Sequence, residues 1–331
     1  MALRLHEKPF TLETVYFGGG TPSFVDPDII VSLLDELKRR FGFDAVREIT
    51  LEANPDDMTA EKLQAWKAAG ISRLSVGIQS FYDEHLRWMN RAHTAAEAEA
   101  ALSLASELGF ELSLDLIFGI PGCSDAQWVS NIEKACSFGI DHLSCYGLTL
   151  EERTPWKKML ERGKAPAPDE NSSAVQFQLA MSLLRDKGWI QYEISNYCRP
   201  GKMALHNTSY WQNKPYIGLG PSAHSFDGAV RSWNVSDLDA YVKSIDRGIL
   251  PAESETLSMQ NRHNEYVMTS LRTIWGCDLD KLAAFGLDSD AQSAIIQRYI
   301  QSGHLQKEGA IITLTDEGKM IADVIASELF I

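Results

Sequence analysis

The chain has 331 residues, 44% of them hydrophobic and 23% charged, with a formal net charge of −14. That balance fits a soluble globular protein with one large domain and a small one, and the acidic excess argues against nucleic acid as a partner. No run approaches the roughly 18 apolar residues of a membrane span and the opening residues lack a signal-peptide core, so a cytoplasmic location is expected.

The first predicted strand, Thr14–Phe17, runs into Gly18-Gly19-Gly20-Thr21-Pro22. Consecutive glycines let the backbone reach positive φ and approach a ligand closely, and amides at such a strand-to-helix turn suit a carboxylate or phosphate. The strand comes so soon after Met1 that a preceding element is expected to be missing. Further strands are predicted at Glu48–Ala53, Arg73–Ile78, Glu111–Phe118, His142–Leu148 and Trp189–Ile194. Helical patterns fill the intervals at Asp28–Arg40, Thr59–Ala69, Thr94–Leu108, Asp125–Phe138 and Asn171–Lys187, several of them stopped by Gly70, Gly109, Gly139 or Gly188. Such alternation implies α/β architecture built from parallel βαβ units, in an open sheet or a barrel. Gly163–Asp169 reads as a surface loop.

The pattern changes near residue 250. Helices are expected at Asn261–Ile274, Leu279–Phe285 and Asp290–Ser302, then a hairpin of Gly303–Gln306 and Ala310–Leu314, then a helix Asp316–Leu329 capped by Thr315. This order describes a small winged-helix-like domain over 251–331, after a larger one over 1–250. The would-be recognition helix carries only Arg298, so packing or partner binding is expected of the module rather than DNA binding.

Candidate functional residues sit at strand ends, where (β/α) barrels gather their chemistry. Glu52 can hold a cationic or hydroxyl group, or cap the helix starting near Thr59. Gln79 can bond a carboxylate or ribose, and Arg91 can grip a carboxylate bidentately. Asp115 lies in an apolar strand, where an unpaired charge is costly. Each has a purely structural alternative, but their joint placement at successive strand ends favours a site. A second cluster, His206 to His224, combines histidines with Tyr210 and Trp211: either an iron ligand beside porphyrin-packing aromatics or a loop of satisfied histidines. The cysteines Cys123, Cys136, Cys145, Cys198 and Cys277 are scattered, with no CxxC or CxxxC spacing, and read as small buried hydrophobes.

Six motifs occur in order: Tyr-Phe-Gly-Gly-Gly-Thr-Pro, Glu-Ala-Asn-Pro, Ser-Val-Gly-Ile-Gln-Ser-Phe, Asn-Arg-Ala-His, Asp-Leu-Ile-Phe-Gly-Ile-Pro-Gly and His-Asn-x-x-Tyr-Trp. Together they resemble the coproporphyrinogen-oxidase-like branch of the radical S-adenosylmethionine (SAM) enzymes, and within it the heme chaperones, over essentially the whole chain. The resemblance implies an incomplete radical-SAM (β/α) TIM-like barrel with a winged-helix-like C-terminal domain. It implies SAM bound by Gly19, Gly20, Thr21, Glu52, Gln79, Arg91 and Asp115. It implies heme at His206, Asn207, Tyr210 and Trp211, with His206 the candidate axial ligand and His224 and Cys198 its rivals.

Family members open with a strand and a CxxxCxxC loop whose thiolates hold a [4Fe-4S] cluster. Here that strand and loop are absent, so the expectation is a truncated chain that builds no cluster, with a natural variant as the alternative. The implied function is heme binding and delivery to a heme-accepting protein, with an electron donor serving the cluster in the complete protein. The alternatives are oxygen-independent coproporphyrinogen III oxidation and a catalytically silent partner-binding scaffold. Whether this chain is an enzyme is left open.

Overall fold

The computed structural model describes residues 11–150, 155–163, 166–285 and 290–331. The opening residues and part of the 163–169 loop therefore lie outside the described residues. The chain divides into two compact units, one containing Leu12–His206 and the other Asn207–Ile331; the change of pattern near residue 250 falls inside the second.

The first unit begins with β1 (Thr14–Phe17), α1 (Pro27–Phe41), β2 (Glu48–Ala53), α2 (Ala60–Ala69) and β3 (Arg73–Gln79). It continues through α3 (Asp83–Trp88), α4 (Ala95–Glu107), β4 (Glu111–Phe118), α5 (Asp125–Ser137) and β5 (His142–Gly147). It closes with α6 (Pro155–Glu161), α7 (Glu170–Asp186), β6 (Ile190–Gln191), β7 (Asn196–Cys198) and the start of α8 (Leu205–Trp211). Helix starts follow ordinary capping chemistry: Asp26, Thr59, Thr94, Ser124 and Asp169 each accept a backbone N–H at the first turn, and Thr94 and Ser124 form full capping boxes.

The seven strands form one sheet in the order β1-β2-β3-β4-β5-β7-β6. The first five are parallel and in sequence order, as alternation with helices requires. The predicted strand at Trp189–Ile194 behaves differently. Only Ile190–Gln191 is extended; the chain then turns and returns as β7, antiparallel to both β6 and β5. Four residues between the two strands allow a hairpin but not a crossover. Among the described residues the sheet stays open, β1 and β6 being its outer strands, which is the incomplete barrel expected from the sequence.

The sheet has two unlike faces. Val15, Ile49, Leu51, Leu74, Val76, Leu112, Leu114 and Leu143 are buried on one, in register across the strands. On the other, Glu52 lies opposite Ser75, Ser113 opposite His142, and Asp115 opposite Ser144. Residues two apart on a strand share a face, so one polar surface crosses the sheet.

The second unit contains β8 (His224–Phe226), β9 (Val230–Asn234), α9 (Leu238–Asp246) and β10 (Ala252–Thr256), whose strands make an antiparallel sheet. Then follow α10 (Met259–Leu271), β11 (Cys277–Asp278), α11 (Leu279–Ala283), α12 (Asp290–Gln301), β12 (Leu305–Glu308), β13 (Ile311–Leu314), α13 (Asp316–Lys319) and α14 (Ala322–Glu328). The expected hairpin is β12–β13, widened to three strands by β11. Thr315 caps the last helical stretch through the N–H of Gly318, but that stretch is two short helices, broken at Met320–Ile321. No helix among the described residues is long and apolar enough to cross a membrane.

Candidate functional site

The glycine turn after β1 packs against β2. Gly19 has φ of 78°, a conformation glycine adopts without steric cost. Its N–H donates to Glu52 Oε2 at 3.2 Å, and the Tyr16 hydroxyl donates to Glu52 Oε1 at 2.7 Å. Gly18 leaves room for this pair: a Cβ there would meet Tyr16 Cε1 at 2.5 Å and Glu52 Oε1 at 2.7 Å. Glu52 therefore belongs to the turn and does not cap α2, which Thr59 caps. Burial, with Glu52 adding to it, raises the Tyr16 pKa far above its ordinary range, so the hydroxyl stays protonated. Thr21 is exposed where the turn enters a short 3-10 segment, and its carbonyl accepts the Phe24 N–H. Ser23 fastens the segment, donating to Asp57 and accepting from the Asn54 N–H.

A second group forms beyond β3. Gln79 sits at φ of 66° beside a register shift in the β3–β4 ladder. The Arg91 guanidinium donates to Asn54 Oδ1 at 2.7 Å and to the Gly77 carbonyl at 3.2 Å, and a Cβ on Gly77 would lie 2.8 Å from Gln79 Nε2. Gln79 and Arg91 thus converge on Gly77. Asp115, on β4, is bonded by Ser144, while burial pushes its pKa up to about 7; the Glu52 charge raises it and Arg91 opposes. Its Oδ1 is sealed from solvent and has no hydrogen-bond partner among the described residues. An orphaned buried acceptor calls for a donor, and a ligand's hydroxyl or ammonium group would supply one.

His206 is held from three sides within the first unit. Both carboxylate oxygens of Glu48 accept backbone N–H groups at the start of α8, from Leu205 at 2.8 Å and His206 at 2.9 Å. The His206 Nδ1 is 2.7 Å from Thr14 Oγ1. Its ring stacks on Tyr16, with centroids 4.9 Å apart and planes 16° apart. Burial lowers the His206 pKa against the opposing pull of Glu48, so the imidazole is neutral near pH 7. A metal-ligating imidazole needs its other ring nitrogen fixed by such a contact, and Thr14 provides it at Nδ1. Thr14, Tyr16 and Glu48 escaped sequence reasoning; the period-two polar pattern of Glu48-Ile-Thr-Leu-Glu52 was the available signal.

Asn207, Tyr210 and Trp211 continue α8 into the second unit. Tyr210 meets Tyr216 edge-on at 4.8 Å. It also lines a cavity of about 230 Å³ with Tyr216, Phe226, Arg231 and Glu265, below the roughly 300–1,000 Å³ of ordinary ligand pockets. The Trp211 indole N–H is buried without a hydrogen-bond partner among the described residues. Of the rival ligands, Cys198 is fully buried and burial pushes its thiol up to about 11, which disfavours the thiolate a metal needs. His224 lies exposed at the start of β8.

A family model for the radical SAM superfamily matches residues 1–135. Among curated relatives, the heme chaperone HemW of Mycobacterium tuberculosis (strain H37Rv) is 35% identical over 96% of this chain and 81% of its own length. The chain belongs to the HemW family of radical SAM proteins. HemW of Bacillus subtilis (strain 168) is 31% identical over 94% of this chain and 84% of its own. In fold, the chain is similar to coproporphyrinogen III oxidase (HemN) from Escherichia coli, with a TM-score of 0.81, 21% identity, and 97% of this chain and 78% of that one covered.

Radical SAM membership implies a [4Fe-4S] cluster as well as SAM, and the cysteines of this chain do not fit one. In the first unit Cys123 follows β4, while Cys136, Cys145 and Cys198 lie on α5, β5 and β7; Cys277 lies in the second unit. Burial raises the pKa of all five thiols. Among the described residues no three His, Cys, Asp or Glu side chains cluster as a metal site.

Proposed function

We propose that this chain binds heme, with His206 as the axial ligand, and passes it to a heme-requiring partner protein. The observation that carries the reading is the preparation of His206: a neutral imidazole fixed at its backbone by Glu48, at Nδ1 by Thr14 and on its face by Tyr16. Ordering a ligand in advance removes part of the entropic cost of binding. The relatives' name, heme chaperone, supports the same reading.

The polar residues beyond the glycine turn suit SAM. Gly19, Gly20 and Thr21 offer backbone to its methionyl end, Glu52 and Asp115 offer acceptors for ammonium and hydroxyl groups, and Gln79 and Arg91 offer donors for carboxylate and ribose. Bound there, SAM would supply an adenosyl group carried on a sulfonium cation, with a zwitterionic aminocarboxylate for the polar residues to hold. The oxidase alternative would need a [4Fe-4S] cluster, and among the described residues no three His, Cys, Asp or Glu side chains cluster as a site for one.

The test is a hemin titration followed at the Soret band. The wild-type chain is expected to bind near one equivalent, and His206→Ala to weaken binding at least tenfold while His224→Ala leaves it unchanged. Equal affinity of wild type and His206→Ala would remove His206 as ligand, and absence of saturable binding would remove the heme reading itself.

A further inference from the structure

Tyr16 touches two sites that sequence alone kept apart. One edge of the side chain, the hydroxyl, donates to Glu52 at the mouth of the glycine turn. Its ring face carries the imidazole of His206 at 4.9 Å, almost parallel. The two contacts use different parts of one rigid phenol, so neither can change its angle without the other. Glu52 in turn holds the Gly19 N–H through its second oxygen, and Gly18 has no spare space against the pair, a Cβ there colliding with both Tyr16 and Glu52. From Gly19 to His206 the contacts are continuous: turn amide, carboxylate, phenol, imidazole.

We infer that Tyr16 is a positioning residue that couples occupancy of the Glu52 carboxylate to the heme affinity of His206. This rests on the reading of His206 as the iron ligand. A ligand bearing a primary ammonium group, which Glu52 would receive, competes with the Tyr16 hydroxyl for Oε1. When the hydroxyl loses that bond the ring is no longer held at both ends, and the imidazole plane that stacks on it loses its reference. Thr14 at Nδ1 and Glu48 at the backbone still hold His206, so the imidazole plane loosens, having lost the fixed face on which it stacks, rather than turning freely. Coupling of this kind is reciprocal: heme on His206 alters the affinity of the Glu52 site by the same factor.

A double-mutant cycle on hemin binding tests this, using wild type, Glu52→Gln, Tyr16→Phe and the double variant. Tyr16→Phe keeps the stacking ring and removes the hydroxyl; Glu52→Gln keeps the shape and removes the charge that strengthens the bond. Glu52→Gln is expected to weaken hemin binding about three- to tenfold in the wild-type background and to leave it unchanged in the Tyr16→Phe background. Low-spin ferric electron paramagnetic resonance reports the imidazole plane, so the g-value spread should broaden in Glu52→Gln with an unchanged melting temperature. SAM added to the wild type should reproduce the affinity change, and added to Tyr16→Phe should not.

If wild type binds hemin through His206 but Glu52→Gln is silent, or acts equally in both backgrounds, the coupling is overturned and the heme reading stands. If wild type does not bind hemin, or His206→Ala binds as well as wild type, both fall together.

Discussion

The carboxyl of Asp115 has one oxygen bonded by Ser144 and the other sealed from solvent without a hydrogen-bond partner among the described residues. Burial raises its folded pKa from 3.8 to about 7. Between those values the folded chain holds a proton that the unfolded chain has released. Its contribution to stability is therefore intact below about pH 4 and is lost as pH rises through 7. Asp115→Asn removes the titration, so its stability relative to wild type should climb between pH 4 and 8, reaching about 2 kcal/mol after allowance for partial exposure of the residue. Urea denaturation at both pH values measures it; a flat difference would show that Asp115 is not strained. His142 works in the opposite sense, burial with the nearby Arg73 holding it down to about 3, so its stability contribution falls as pH drops below 6.5. That contribution cancels in the comparison of variant with wild type.

At the scale of elements, β2 shows how a strand can be both core and site. Ile49, Leu51 and Ala53 are buried in the apolar face, while Glu48 and Glu52 project to the polar one. Glu48 pairs with Arg73 at 3.2 Å, both side chains 4% exposed, and also receives the first amides of α8. It thus ties β2 and β3 to the start of α8. Removing Glu48 leaves the buried Arg73 with only the half-exposed Glu111, at 3.1 Å, as a carboxylate partner. Glu48→Gln should destabilise the chain by about 3 kcal/mol, and pairing it with Arg73→Met should recover much of that. Denaturant midpoints of the two variants decide the matter; equal loss in both would mean the amides of α8, not Arg73, dominate.

For the whole molecule, the sheet of the first unit is parallel over five strands and then folds back through the β6–β7 hairpin, leaving an open arc among the described residues. The glycine turn, Glu52 and Gln79 lie at or near the C-terminal ends of β1, β2 and β3, while Asp115 sits within β4 and Arg91 follows α3. The cysteines are distributed over that arc and the second unit rather than gathered at one strand end. Anaerobic reconstitution of this chain with iron and sulfide is therefore expected to yield no stoichiometric iron. Recovery of about four irons per chain, with the absorption of a [4Fe-4S] cluster, would overturn this account of the cysteines.

The strands and helices of the first unit were legible because hydrophobic period, caps and terminal glycines agree locally: Thr94 with Glu97, Ser124 with Gln127, and Gly70 after Ala69 each settle an end within one turn. Family membership was legible for a similar reason, since its motifs are short and contiguous. The hairpin return of Ile190 to Cys198 was not, because a strand of two residues carries too little pattern to reveal its direction. Nor were the partners of His206, which come from residues 158 to 192 positions away. Sequence alone determined the family and the order of strands and helices in the first unit. Only the tertiary structure decided that Glu52 serves the glycine turn rather than α2, and that Tyr16 joins it to His206. Those outcomes depend on which side chains parallel pairing brings onto one face, and that register is set by packing across the whole sheet.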